Sequence, residues 1–249
     1  MDLVEKQVIV TGGVSGLGRA MVEKLIEKNA RVCVFDFNAL GLDKLKVEHE
    51  RLQCIACDVS SYEQVLVATD QYHRRFGVAD VLINNAGVLY SAPLVRITSA
   101  GIEKHDVAMW NKVLATDLTS VFYMTSCVVE KMIATRTKGV IVNIGSVSAA
   151  GNAGASAYSA AKAGVHALTA AWAKELSPLG IRVLAVAPGF AETASTKAAI
   201  SEAALQETIK RVPLRRLGKP EEIAEGVLSA IQNDFFNGKV FELDGGLVL

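Results

Sequence analysis

The sequence predicts a doubly wound parallel α/β sheet of about seven strands, with helices on both of its faces. Short, almost continuously apolar runs alternate with longer amphipathic stretches along the 249 residues. Strands that are covered by helices on both faces have this composition. A glycine cluster follows the first run, where such a sheet turns from strand into helix. No break in composition divides the chain, so we predict a single domain over residues 1–249.

Seven runs have the length and the β-branched composition of strands. They are Gln7–Thr11, Arg31–Phe35, Gln53–Cys57, Val81–Asn84, Val140–Ile144, Arg182–Val186 and Lys239–Leu243. Five amphipathic stretches between them are predicted helices. They are Arg19–Asn29, Tyr62–Phe76, Trp110–Thr135, Ala157–Ser177 and Pro220–Gln232. Because strands and helices alternate, the strands are expected to run parallel.

Composition and charge argue against several classes of protein. The 26 basic and 26 acidic residues balance, so the chain has no electrostatic signature of binding to nucleic acid or to an anionic membrane. No apolar run approaches the roughly 20 residues of a membrane span, and no signal peptide is recognisable. Cys54 and Cys57 form a C-x-x-C pair without a second pair at ligand spacing, so no metal site is predicted. A reducing, cytoplasmic location and a small-molecule partner are expected.

The glycine cluster TGGVSGLG, from Thr11 to Gly18, predicts a phosphate-binding turn. Glycines let the backbone approach a pyrophosphate, whose charge is stabilised by the N-terminus of the following helix. The predicted contacts are Gly12, Ser15, Gly16, Leu17 and Gly18. The cluster lies directly after the first strand, which is the position that a dinucleotide-binding motif requires.

Asp36 ends the second strand and predicts a preference for NAD over NADP. A carboxylate at this place can accept hydrogen bonds from the adenosine ribose and repels a 2′-phosphate. The next residues, Phe37 and Asn38, supply no cation for such a phosphate. NAD is therefore the predicted cofactor, with Asp36 and Phe37 in contact with it.

A second motif, at Tyr158 and Lys162, predicts proton-transfer chemistry. The two residues are four apart and lie on the same face of a predicted helix. Ser146 follows the strand GVIVNIG, at the edge of the sheet where ligands bind in such folds. The phenol, the ammonium and the hydroxyl are thus expected to lie close together.

Taken together, these motifs resemble the short-chain dehydrogenase/reductase family, whose fold is of the Rossmann type. The resemblance covers nearly the whole chain. Its elements are TGGVSGLG, Asp36, Asn84-Asn85-Ala86-Gly87, Ser146, Tyr158 with Lys162, Pro188-Gly189 with Thr193, and Asp244-Gly245-Gly246. The family implies an enzyme that transfers a hydride between NAD(H) and a secondary alcohol or ketone. It also implies a homotetramer, which the apolar helix over Ala157–Leu176 favours.

The resemblance assigns roles to individual residues. Tyr158 would be the general acid/base, and Lys162 together with the nicotinamide ring would lower its pKa. Ser146 would hold the substrate oxygen. Asp58 and Val59 would contact adenine, while Asn85, Ala86 and Gly87 would line the adenosine ribose. Phe190 and Thr193 would bind the carboxamide edge of nicotinamide, and Pro188 and Gly189 would also contact the cofactor.

Asp117 departs from the family pattern, which has Asn at this place. The Asn supports a water that links the active-site Lys to solvent. An ionised Asp can accept the same hydrogen bonds but cannot donate, and its charge would favour protonated Lys162. We expect activity to be retained, with Asp117 among the catalytic group. His166, one turn beyond Lys162, is interpreted as a packing residue.

The substrate is less defined than the reaction. Residues 148–156 and 191–212 are expected to shape a mostly apolar pocket with Tyr90 and Phe190, and residues 191–212 to cover it. The segment Val88–Trp110 is long, and in this it resembles the corresponding segment of 3-hydroxyacyl-CoA dehydrogenases and steroid-oxidising relatives. Acyl-carrier-protein ketoreductases are a further alternative, although Asp36 disfavours their usual NADPH. A silent dinucleotide sensor, suggested by Asp117, and a non-redox lyase or epimerase stay open as other classes.

Overall fold

The computed structural model describes residues 1–46, 49–99, 101–199 and 201–247. Within these residues a seven-stranded parallel sheet has the strand order 3-2-1-4-7-8-9 in chain numbering. Helices cover both of its faces, so the predicted fold class is confirmed. In the same part of the chain, no helix is long and apolar enough to cross a membrane.

The strands of the sheet lie close to their predicted positions. They are β1 (Gln7–Thr11), β2 (Arg31–Asp36), β3 (Leu52–Ala56), β4 (Val81–Asn84), β7 (Gly139–Ile144), β8 (Ile181–Pro188) and β9 (Val240–Leu243). A separate antiparallel hairpin contains β5 (Val95–Thr98) and β6 (Gly101–Lys104). No apolar periodicity predicts this hairpin, because its side chains are mostly exposed and bury no periodic face.

The helices connect the strands and form the two outer layers. They are α1 (Gly16–Glu27), α2 (Ala39–Lys46), α3 (Tyr62–Phe76), α4 (Val107–Leu114), α5 (Ser120–Ala134), α6 (Ser156–Leu176), α7 (Ala194–Ala199), α8 (Glu202–Arg211) and α9 (Pro220–Gln232). Short 3₁₀ turns span Val147–Ala150 and Ser177–Leu179. The helices α2, α7 and α8 were not predicted.

One predicted helix, Trp110–Thr135, is interrupted. A π-helical turn over Ala115–Thr119 separates α4 from α5. Such turns carry one extra residue and are frequent at functional sites. This turn rotates the chain so that Asp117 points into the protein interior, where it is completely buried.

Two apolar layers sandwich the sheet because successive strand residues face opposite sides. Val8 and Val10 of β1 pack toward α1 and α9, with Met21 in the same cluster. Ile9 faces the other layer, which includes Tyr72 of α3. Both sides are therefore closed to solvent, and the carboxyl edge of the strands is the place left for a ligand.

Candidate active site

A cavity of about 650 Å³ lies at the carboxyl edge of the sheet. Its volume is within the range of roughly 300–1,000 Å³ that is usual for ligand sites. Every residue predicted to bind the cofactor or to act in catalysis lines it. They are Gly12, Ser15, Gly16, Leu17, Gly18, Asp36, Phe37, Asp58, Val59, Asn85, Ala86, Gly87, Asp117, Ser146, Tyr158, Lys162, Pro188, Gly189, Phe190 and Thr193.

The glycine turn after β1 leaves no room for side chains. A Cβ atom on Gly18 would lie 2.1 Å from the carbonyl oxygen of Gly12, and one on Gly12 would lie 2.9 Å from the Cα of Ala86. Gly12 also has a φ of +66°, which other residues rarely adopt. Ser15 occupies the N-cap of α1 without a side-chain hydrogen bond to it. The amides of the first turn therefore face the cavity as an anion site.

Thr11 and Asn85 fasten this turn to the loop after β4. The Thr11 hydroxyl accepts hydrogen bonds from the backbone N–H groups of Asn85 and Ala86, both at 3.0 Å. The Asn85 amide donates to the carbonyl oxygens of Thr11 and Gly12 at 3.0 and 2.9 Å. Two neighbouring loops thus form one wall of the cavity with a fixed backbone position.

Asp36 lies at the end of β2 and is buried. Its carboxylate accepts hydrogen bonds from the backbone N–H groups of Val14, at 3.2 Å, and Asn38, at 3.0 Å. Each carboxylate oxygen can accept a further hydrogen bond, so capacity for a ribose hydroxyl is left. Phe37, beside it, is 80% exposed on the cavity rim. The glycine cradle, the helix terminus and this carboxylate together fit a nicotinamide dinucleotide.

The opposite end of the cavity holds Ser146, Tyr158 and Lys162. Ser146 lies two residues after the end of β7, and its hydroxyl accepts a hydrogen bond from the N–H of Ser148 at 3.1 Å. The i, i+4 spacing on α6 places the Lys162 ammonium 5.5 Å from the centre of the Tyr158 ring. Lys162 is buried and donates a hydrogen bond to the carbonyl oxygen of Ile144 at 2.9 Å. The structure therefore brings the predicted phenol, ammonium and hydroxyl together.

Opposing electrostatic effects act on the Tyr158 phenol. Burial raises the pKa of Tyr158, and the negative charge of Asp117 adds to the rise. Lys162 lowers this pKa, as predicted, and Ser146 does so to a smaller extent. In the protein without a cofactor, desolvation of the phenolate exceeds these effects, so the pKa of Tyr158 is raised overall. The contribution of the nicotinamide ring stays a prediction.

Asp117 lies against the same group. Its Oδ1 atom accepts a hydrogen bond from the N–H of Val88 at 2.8 Å, and its Oδ2 atom lies 3.5 Å from Nζ of Lys162. A Cβ atom on Gly87 would be 2.8 Å from Oδ2. Burial raises the pKa of the Asp117 carboxyl, whereas Lys162 and the Val88 amide oppose this rise. Its contact with Lys162 agrees with the sequence interpretation.

Tyr90 does not take its predicted place in the pocket, whereas His166 packs as predicted. Tyr90 does not line the cavity; its ring packs against His105 at 5.5 Å, because the chain turns away into the hairpin. His166 packs against Gly145, where a Cβ atom would meet its Nε2 at 2.2 Å. Burial and the nearby Lys162 lower the pKa of His166, which favours the neutral imidazole of a packing residue.

Sequence reasoning missed Lys112, an exposed residue of α4 at the cavity rim. It shares a helix face with Ala115 and Thr116, which also line the cavity. Its spacing of four from Thr116 was visible, but a lone lysine on an amphipathic helix carries no signal of its own. Ser195 and Thr196 line the cavity from α7, within the segment predicted to cover it.

The cysteines show no sign of a metal site. All four are unpaired, and Cys57 lies buried in the cavity wall next to Asp58. Within the described ranges, no group of three or more His, Cys, Asp or Glu side chains could hold a metal ion. The C-x-x-C pair belongs to the end of β3, where burial raises the pKa of Cys54 to about 11.

Comparison with known proteins decides the family. Residues 6–204 match the family model described as short chain dehydrogenase. The chain belongs to the short chain dehydrogenase family. It is therefore an oxidoreductase of CH–OH and keto groups, and the members of this family bind a nicotinamide dinucleotide.

Several relatives of the short chain dehydrogenase family resemble this chain along its whole length. It is 38% identical to the 3-oxoacyl-(acyl-carrier-protein) reductase FabG of Thermotoga maritima, with all of both chains covered. It is 34% identical to the acetoacetyl-CoA reductase of Cupriavidus necator, over 98% of this chain and 99% of that one. A crystal structure from Agrobacterium tumefaciens, provisionally named a gluconate dehydrogenase, superposes with a TM-score of 0.89 at 30% identity, covering 100% and 98% of the two chains.

Proposed function

We propose that this enzyme interconverts a secondary alcohol and its ketone with NAD(H), and that its substrate is a 3-hydroxyacyl or 3-oxoacyl thioester. One observation carries the reaction: Ser146, Tyr158 and Lys162 meet at one end of a cavity whose other end is the glycine turn with Asp36. When bound, the nicotinamide supplies or accepts the hydride.

The residues of the chain divide the remaining work. Tyr158 donates a proton to the carbonyl oxygen in reduction and takes it back in oxidation. The Ser146 hydroxyl, which lines the cavity, donates a hydrogen bond to the same oxygen and stabilises its developing charge. Lys162 holds a positive charge 5.5 Å from the phenol ring and favours the phenolate.

Asp36 supports NAD rather than NADP. Both of its oxygens are fixed by the backbone of Val14 and Asn38, so the carboxylate stays at the rim as a negative charge. A 2′-phosphate would meet this charge, and Phe37 and Asn38 offer it no cation. The acyl-carrier-protein reductases among the relatives usually take NADPH, which Asp36 disfavours, so the choice of cofactor is to be measured.

The substrate class is supported by the cavity wall and by the relatives. The cavity lining includes the apolar residues Val88, Leu89, Val147, Phe190 and Ala191, which suit an acyl chain. Two of the relatives reported above are named for 3-oxoacyl and acetoacetyl thioesters. Apolar hydroxy compounds such as steroids fit the same wall and are the next candidates.

A turnover panel tests this proposal. The purified enzyme is given NADH or NADPH with acetoacetyl-CoA, a steroid ketone or a keto sugar acid, and loss of reduced nicotinamide absorbance is followed. We expect acetoacetyl-CoA with NADH to give the highest kcat/KM, and Tyr158→Phe to reduce kcat by about 10²–10⁴-fold with NADH still bound. Turnover of the sugar acid alone would refute the substrate class. No turnover with any compound, despite NADH binding, would favour a sensor.

The cofactor preference has its own test. Replacing Asp36→Ser removes the negative charge beside the ribose, so kcat/KM with NADH should fall and that with NADPH should rise. Asp43→Asn, an exposed change of the same charge on α2, serves as the control. If Asp36→Ser leaves the ratio of the two cofactors unchanged, Asp36 does not set the preference.

A homotetramer and a cytoplasmic location are further parts of the proposal. The outer face of α6 carries four exposed alanines, Ala160, Ala163, Ala167 and Ala171, and α5 exposes Phe122. Such a smooth helical face suits close packing of a second helix. Light scattering that reports a monomer would refute the tetramer. Four unpaired cysteines agree with a reducing compartment.

A further inference from the structure

Asp117 is a fully buried carboxylate that lies beside Lys162, one of the three residues proposed to carry the reaction. The π-helical turn between α4 and α5 carries it inward, and it is 0% exposed. Its Oδ1 atom is satisfied by the N–H of Val88. Its Oδ2 atom has no hydrogen-bond partner in the described part of the chain and faces the Lys162 ammonium at 3.5 Å.

A carboxylate in such a place needs a counter-ion, because burying an unpaired charge is costly. Lys162 is that counter-ion. From α6 the titratable neighbours are Lys162, Tyr158 and His166, and from α4 the nearest is Lys112, which is exposed at the rim. The loop after β4 contributes only backbone at Gly87 and Val88. Asp117 is thus the negative charge that faces Lys162 inside the protein.

We propose that Asp117 is a positioning residue that partly neutralises the Lys162 ammonium, so that the site donates a proton to a ketone at neutral pH and oxidises an alcohol only at more alkaline pH. The inference rests on the proposed function of Tyr158 and Lys162. An ammonium that shares its field with a carboxylate stabilises a phenolate less than a free one does.

The direction of the reaction depends on whether the Tyr158 phenol is protonated. In reduction, the carbonyl carbon gains a hydride from the reduced nicotinamide, and its oxygen gains the phenol proton of Tyr158. The resulting phenolate takes a proton from water. Oxidation is the reverse, so it must begin from the phenolate. A group that keeps the phenol protonated therefore favours reduction and delays oxidation, and Asp117 does raise the pKa of Tyr158.

The negative charge of Asp117 can be removed while its hydrogen bond with the N–H of Val88 is kept. In Asp117→Asn, the side-chain oxygen can still accept from the N–H of Val88, while the second group becomes a neutral amide. A purely structural role for Asp117 would be kept by this variant. A change in pH dependence would come from the lost charge.

The test measures the pH profile of alcohol oxidation. For Asp117→Asn we expect the rise in kcat/KM to shift by about one unit toward acid, so that oxidation below the original midpoint is about tenfold faster. Asp70→Asn, an exposed change on α3, should follow the wild-type profile. Superimposed profiles of Asp117→Asn and wild type would overturn the proposal.

A second readout does not depend on turnover. The ionisation of Tyr158 is followed by tyrosinate absorbance, as the difference between the protein and the same protein carrying Tyr158→Phe. In the Asp117→Asn background this difference signal should appear at lower pH than in wild type. If no substrate is turned over, the proposed function fails, but this titration still decides the inference; an unshifted signal would overturn it.

If Asp117→Asn does not fold, Lys162→Met gives another test. Removing the Lys162 charge would raise the folded-state pKa of the buried Asp117 carboxyl further above its unfolded value than burial does in wild type. The variant would then lose stability as pH rises from the unfolded value toward the folded one. Urea unfolding at several pH values should show a loss relative to wild type that grows with pH. An equal pH dependence in both proteins would count against a charged Asp117.

Discussion

Asn84 and Asn143 face each other at the ends of β4 and β7, where the side-chain N–H of Asn84 donates to the oxygen of Asn143 at 2.9 Å. Asn84 also donates to Thr125 of α5, and Asn143 donates to Thr169 of α6. All four side chains are buried. This chain of hydrogen bonds joins the strand that leads to Ser146 with the helix that carries Tyr158 and Lys162.

We therefore expect Asn143→Ala to lower stability by about 1–3 kcal/mol, because Asn84 loses a partner in a place without water access. Urea unfolding monitored by circular dichroism measures the change. Asn111→Ala, an exposed change on α4, should alter stability by no more than about 0.5 kcal/mol. Equal effects of the two changes would show that the buried contact does not stabilise the sheet edge.

Removing the Ser146 hydroxyl should slow the reaction rather than weaken cofactor binding. Ser146→Ala leaves the developing charge on the substrate oxygen with one donor fewer, and we expect kcat to fall by about 10²–10³-fold. The Kd for NADH, measured by fluorescence, should stay the same. Ser126→Ala on α5 removes a hydroxyl that bonds the carbonyl of Tyr123 and is the matched control. A rise in KM at unchanged kcat would assign Ser146 to binding alone.

A methyl group on Gly18 should abolish cofactor binding. Gly18→Ala would place its Cβ atom 2.1 Å from the carbonyl oxygen of Gly12, which is backbone and cannot move aside without shifting the whole turn. NADH titration should detect no saturation. In Gly218→Ala the nearest atom is a side-chain carbon at 3.6 Å, so binding should persist. NADH binding retained by Gly18→Ala would mean that the turn is not the phosphate site.

The cysteines should be slow to alkylate in the native protein. Burial raises the pKa of Cys54 to about 11 and of Cys57 to about 12, so at pH 8 about one Cys54 thiol in a thousand is ionised. Iodoacetamide labelling followed by mass spectrometry should modify both residues only after denaturation. Fast labelling of Cys54 in the native protein would contradict this burial effect and indicate a reactive C-x-x-C pair.

Local patterns predicted most of the frame. The apolar runs predicted the ends of all seven strands of the sheet to within one or two residues. A strand that is buried on both faces is apolar along its whole length, so the run itself marks it. The helix α6 brought Tyr158 and Lys162 together through its i, i+4 spacing, and the glycine turn followed from backbone sterics. These features depend on neighbours within a few positions of the chain.

Contacts between distant segments were decided by the tertiary structure. The hairpin of β5 and β6 has no buried face, so its sequence lacks the apolar alternation that predicts a strand. Tyr90 leaves the cavity because this hairpin draws it toward His105. Lys112 lies at the cavity rim because α4 packs beside the cavity, and the sequence does not show which helix packs there.

The sequence by itself determined the family, the fold and the residues of the catalytic group, since each is carried by a short motif at a fixed place in the strand–helix alternation. Only the tertiary structure decided how strongly those residues interact. The π-helical turn buries Asp117 beside Lys162, and burial raises the pKa of Tyr158 against the pull of that lysine. Desolvation and charge pairing arise from the packing of segments far apart in the chain, so no local pattern could have set their balance.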